Sequence, residues 1–209
     1  MLNTRIMTSI ITGDIIKSRK ALSEDQWLIP LKLALSKLTD NPSFYDIYRG
    51  DSFQLECTTI EDSFRAAVYI KAFLKSVKGL DVRMSIGIGK KDYQGNSVSE
   101  SNGEAFIFSG ETFETLKKEK LNLKLKTNND VLNKEINLYF RLALIAMDNW
   151  TVNSAEVVKL TLEHPNMIQA ELAKIIGISQ DAVSKRQKRA YLDEILELDQ
   201  LYRHKIGQL

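Results

Sequence analysis

Two aspartates stand just after glycines at the ends of apolar or aromatic runs: Asp14 in "IITGDIIKSRK" (10–20) and Asp51 in "YRGDSFQLEC" (48–57). Paired carboxylates, completed by phosphate oxygens, are a usual setting for Mg²⁺, which keeps waters and takes few protein ligands. Such an ion can polarise a phosphoryl oxygen or activate a hydroxyl. Groups suited to a nucleotide surround them. Lys17 and Arg19 can grip phosphate, Gly50 sits in the second turn, and "LDVRMSIGIG" (80–89) supplies Arg83, Gly87 and Gly89. Glycines in a strand let another group come close to the backbone. The expected assignment is therefore Asp14 and Asp51 as metal ligands, with Lys17, Arg19, Gly50, Arg83, Gly87 and Gly89 binding a nucleotide. No residue is assigned a catalytic role. Each also has a plainer reading: turn aspartates, a solvated loop, an ion pair on a sheet face, a bulge.

A second constellation lies near the C-terminus, in "MIQAELAKIIGISQDAVSKRQKRA" (167–190). Ala173 is small enough for two helices to cross, Gly177 suits a turn, and Leu172, Ile178 and Val183 can lock both helices. Ser179 is a natural N-cap for the second helix. In a helix-turn-helix that second helix would direct Gln180, Asp181, Ser184 and Lys185 toward base edges. Arg186, Lys188 and Arg189 would contact phosphates. Basic and acidic residues are equally numerous over 151–209, so a protein-interaction module stays open beside DNA binding. The leucine-rich "LDEILELDQ" segment that follows suits a packing or dimerising helix, so a homodimer is a further expected partner.

The elements that must position these groups follow from periodicity. "IMTSII" (6–11) has the near-continuous β-branched run of a strand buried on both faces. Capping boxes at Ser23/Gln26 and Thr58/Glu61 predict two helix starts. Residues 43–57 predict a hairpin about Arg49-Gly50-Asp51, 80–89 a strand, 104–119 a helix and 121–127 an edge strand. Strand, helix, strand, strand, helix, strand is the split βαβ, or ferredoxin-like, pattern. From Val131 onward only helical periodicity remains: a connecting helix, then helices at 154–164, 167–176 and from 179 on. The expected class is α+β, with a ferredoxin-like domain over 1–128, a connecting helix over 129–150 and an all-α helix-turn-helix domain over 151–209. In the ferredoxin-like order the first and third strands are antiparallel neighbours, which brings Asp14 and Asp51 to one end of the sheet.

Composition narrows the classes. The 209 residues are 44% hydrophobic and 27% charged, with 29 Lys plus Arg against 27 Asp plus Glu, so net charge alone selects no polyanion. One cysteine excludes an internal disulfide, and one cysteine with two distant histidines makes no zinc site. No leader or membrane-spanning run is read, so a cytoplasmic protein is expected.

Taken together, "ITGDIIKSRK", "YRGDSFQLE" and "VRMSIGIGK" with "NGEAFIFSG" resemble the SatD-like bacterial family over nearly the whole chain. They are more distantly similar to the palm domain of class III nucleotide cyclases and GGDEF diguanylate cyclases. That resemblance implies metal ions on an aspartate after the first strand and on an acidic residue in the hairpin, positions matched by Asp14 and Asp51. The cyclases' late-helix Asn and Arg have no counterpart in "GEAFIFSGETFETL", and the full GGDEF signature is absent. The expectation is a DNA-binding transcriptional regulator with a nucleotide- or metal-sensing cyclase-like domain. A Mg²⁺-dependent cyclase or nucleotidyltransferase with a regulatory helical part, and a catalytically retired scaffold, are the alternatives.

Overall fold

The computed structural model describes residues 7–18, 23–48 and 50–209, and it is a mixed α/β molecule with six strands and eight α-helices among them. The central strand is β1 (Met7–Ile15), whose residues from Thr8 to Gly13 are all buried. It pairs antiparallel on one side with β3 (Ser52–Cys57) and on the other with β4 (Val82–Tyr93). β2 (Tyr45–Tyr48) lies antiparallel beyond β3. β4 is longer than its glycine-rich stretch predicts. It carries β5 (Asn102–Gly103) antiparallel near its end and β6 (Leu123–Lys126) parallel along its first half.

Helices cover both faces of the sheet. α1 (Asp25–Leu38) and α2 (Ser63–Lys75) pack together on the side of Ile11 and Ile15, burying Trp27, Leu31, Leu35 and Phe64 with them. α3 (Glu104–Glu119) covers the other face, where Ile10, Val98, Ala105 and Phe106 form a smaller cluster. Neither expected capping box forms. α1 starts at Asp25 after Glu24, and the Gln26 N–H is held by the Ser23 carbonyl oxygen at 3.3 Å rather than by a hydroxyl. The second box gives way to a 3₁₀ turn at Ile60–Asp62, with α2 starting at Ser63.

The remaining chain is helical: α4 (Asp130–Met147), α5 (Val152–Glu163), α6 (Gln169–Ile176), α7 (Gln180–Ala190) and α8 (Leu192–Ile206). Side chains cap three of these starts, Asn129 for α4, Thr151 for α5 and Ser179 for α7. The single helix expected from 179 onward is two, because Tyr191 takes a left-handed conformation (φ 54°) and turns the chain. α8 thereby returns to the sheet half. Tyr202 lies 5.5 Å from the Phe64 ring and 6.0 Å from the Phe140 ring, while those two rings stack at 4.8 Å. Its hydroxyl and that of Ser63 are 2.7 Å apart.

One hydrophobic core consequently runs from Ile11 to Ile206, across the 128/129 boundary. A separate cluster of Val157, Leu172, Ala173 and Val183 holds α5, α6 and α7 together. The two halves are also tied by charge. Lys71 of α2, fully buried, reaches Asp81 before β4 at 2.8 Å and Asp148 after α4 at 2.7 Å. Lys75 donates to the Asp148 carbonyl oxygen at 2.8 Å. Among the described residues no helix is long and apolar enough to cross a membrane.

Candidate functional site

Strand pairing brings the two aspartates to one end of the sheet. Asp14 lies inside β1 rather than after it, with Ser52 and Arg83 as its cross-strand partners, and the Ile15 N–H donates to the Asp51 carbonyl oxygen at 3.1 Å. Gly50 takes φ 86° in the β2–β3 turn, a left-handed conformation that favours glycine, so the turn itself accounts for it. Each carboxylate has a protein partner. Arg83 donates to both oxygens of Asp14, from Nε at 3.0 Å and from its terminal nitrogen, and its guanidinium lies 6.0 Å from the Phe113 ring centroid. Ser18 donates its hydroxyl to Asp51. Lys17 is exposed, with positive φ, on the loop after β1. Arg19 lies outside the described residues.

Gly87 and Gly89 admit a close neighbour, and that neighbour is α3. A Cβ at Gly87 would sit 2.2 Å from the Ala105 carbonyl oxygen and 2.3 Å from the Ser109 nitrogen; one at Gly89 would sit 2.7 Å from the Glu104 Cβ. Ser85 and Thr12 bond Ser109 across the same contact, at 2.7 and 3.0 Å. At Gly87 and Gly89 the helix therefore occupies the space that the missing side chains leave.

Among the described residues no group of three or more His, Cys, Asp or Glu side chains gathers to hold a metal ion. With Arg83 on both oxygens of Asp14, the two aspartates could hold a cation only once Arg83 is released and phosphate oxygens complete the set. An incoming metal–phosphate group would have to draw Arg83 onto phosphate and bring its own oxygens.

At the other end of the molecule, Gly177 (φ 77°) closes α6 and Ser179 accepts the Ala182 N–H at 3.2 Å, so α7 begins after a three-residue turn. Its buried side holds Val183 and Ala190; Gln180, Asp181, Ser184, Lys185, Lys188 and Arg189 are exposed together on the opposite side. Arg186 departs from expectation. It is half-buried and paired with Glu156 of α5 at 3.0 Å, so it braces the helices. Lys185 pairs with Asp181 at 2.7 Å on the exposed face.

Comparison with protein-family models and with curated protein sequences finds no match to this chain.

Sequence reasoning missed three features. Lys71 sits in "AAVYIKAFL", and a lysine amid residues apolar all round the helix was its available signal. Glu56, buried, accepts from Lys91 at 2.6 and 2.8 Å and from Thr8 at 2.9 Å. A cleft of about 510 Å³ opens between β3, α2 and the end of α5, lined by Lys37, Cys57, Arg65, Tyr69, Glu163 and His164. There burial, then the Asp62 and Glu56 charges, push the Cys57 thiol up to about 12. Burial, then its 2.6 Å hydrogen bond to Glu163, raise the Tyr69 hydroxyl.

Proposed function

We propose that this chain is a DNA-binding regulator whose sheet half senses a phosphorylated ligand, as the SatD-like resemblance implies. The observation that carries the DNA reading is the exposed face of α7. Six polar side chains, Gln180, Asp181, Ser184, Lys185, Lys188 and Arg189, share one side of a helix whose other side is locked by Val183 and Ala190. The short turn at Gly177–Ser179 and the cluster around Ala173 support reading α6 and α7 as a helix-turn-helix. Polar residues at the start of α7 would meet base edges, and Lys188 and Arg189 would meet phosphates.

The order β2-β3-β1-β4, with β1 antiparallel to both neighbours, supports a ferredoxin-like, palm-like sheet. Within that reading Asp14 and Asp51 would hold the Mg²⁺ of a Mg²⁺–nucleotide, and Arg83 and Lys17 would meet its phosphates. Occupancy then alters DNA affinity by the reciprocity of linked sites.

Duplex binding followed by fluorescence anisotropy across a salt series tests the first part. Lys188→Ala with Arg189→Ala should weaken binding on every sequence and reduce the salt slope by about two. Affinity indifferent to salt, or to this pair, removes the DNA reading. For the second part, Mg²⁺ with ATP or GTP should raise the melting temperature, and Asp14→Asn or Asp51→Asn should abolish the rise.

A further inference from the structure

The side of α4 facing away from the core is apolar. Val131, Leu138, Leu142 and Ile145 are 77%, 45%, 57% and 69% exposed. Their steps of seven, four and three residues are those of a coiled-coil seam, the pattern by which one helix receives another. Beside it runs a groove of about 900 Å³ between α4 and α8, lined by Leu142, Ala146, Ile195 and Leu198 together with the charged Arg189 and Glu194. An apolar strip of this length on a soluble surface marks an interaction site.

Charge identifies what covers it. The outer edge of α4 carries Lys134 and Arg141 exposed, with Asp130 at its start held by Lys126 at 2.9 Å, and the outer edge of α8 is acidic, with Asp193 and Glu197 exposed. The Lys205–Glu135 pair at 2.9 Å, the Phe140–Tyr202 rings at 6.0 Å and the Trp150 bond to the Ala190 carbonyl oxygen at 2.9 Å follow one another in opposite senses along the two segments, so α4 and α8 are antiparallel neighbours. Six residues along α4 from Glu135, Arg141 stands level with Asp199, within one helical turn of Glu197. A surface with one basic and one acidic edge complements itself under a two-fold rotation about an axis parallel to the helices. That rotation lays α4 over the partner's α8 and sets Arg141 against Glu197 of the partner subunit. The other two-fold, with α4 on α4 and α8 on α8, brings the acidic edges together instead.

We infer that a second copy of this chain occupies the α4–α8 face, as an isologous dimer with α4 crossing over the other copy's α8. The inference does not depend on DNA binding or on the aspartates.

Sedimentation velocity of the full chain at micromolar concentration should give twice the chain mass. Ile145→Asp should give a single chain mass with an unchanged circular dichroism spectrum. Arg141→Glu and Glu197→Arg should each raise the dissociation constant about tenfold or more, and the two changes together should restore it. A monomeric wild-type chain overturns the inference and leaves the seam to a different protein. A dimer that survives Ile145→Asp together with Leu142→Asp moves the interface elsewhere. Failure of the double exchange to restore association overturns the α4-over-α8 arrangement.

Discussion

Tyr202 packs in a core shared by the helical half and the sheet half, so its removal tests whether either half can unfold alone. Its ring is fully buried between Phe64 of α2 and Phe140 of α4, in a core shared by both halves. Truncating a buried aromatic residue to alanine costs about 3–5 kcal/mol. For a chain of this size each kcal/mol lowers the melting temperature by about 2–4 °C, so Tyr202→Ala should lower it by roughly 6–20 °C. Tyr202→Phe keeps the ring and loses one hydrogen bond. Because Ser63 still donates to the Ile60 carbonyl oxygen at 2.7 Å, that change should cost only about 0.5–1.5 kcal/mol. The two tryptophans make the assay specific. Trp27 is buried in α1 against the sheet, and Trp150 donates its indole N–H to the Ala190 carbonyl oxygen at 2.9 Å in the helical half. Urea unfolding of Trp27→Phe and Trp150→Phe backgrounds therefore reports each half separately. With one core, Tyr202→Ala shifts both reporters to the same lower midpoint. If the Trp27 reporter keeps its midpoint while the Trp150 reporter moves, the halves unfold independently and the shared-core reasoning is wrong.

Gly87→Ala places a methyl group against backbone atoms of α3, so it should destabilise by about 1–3 kcal/mol or more in a thermal melt. Gly110→Ala, in the same helix with nothing within 4 Å of the added carbon, should instead stabilise by about 1 kcal/mol. A neutral Gly87→Ala that loses a nucleotide-induced shift would return that glycine to the ligand. Cys57, whose folded thiol titrates near 12 against an ordinary 9.0, should react slowly with a disulfide reagent at neutral pH and rapidly in urea. The folded state holds this proton where the unfolded state releases it. Its contribution is accordingly constant below about pH 9 and is lost as pH rises toward about 12. Urea midpoints that fall no faster above pH 9 in the wild type than in Cys57→Ser would refute this.

Local patterns carried much of the fold. The run rich in β-branched residues predicts the buried central strand, and the helix at 104–119 has the same limits in sequence and structure. Failures came where tertiary contacts overrule local chemistry. Tyr191 breaks a helix with no glycine, proline or asparagine to announce it, since the turn is held by what α8 buries afterward. The serine and threonine of the two capping boxes lie just upstream of where packing lets α1 and α2 begin. At the candidate site, the adjacency of Asp14 and Asp51 follows from strand order. The Asp14–Arg83 pair needs the β1–β4 register, which no local pattern supplies. Likewise, the glycines of β4 announce a close approach without saying what approaches.

The Lys71 ammonium ties the start of β4 to the end of α4. Sealed from water, it cannot follow Asp81 without leaving Asp148, and an uncompensated charge there has no solvent to turn to. Asp81 precedes Arg83 by two residues, and Asp148 precedes Trp150 by two, whose indole grips the last carbonyl of α7. Parting the start of β4 from the end of α4 would therefore strand a buried ammonium.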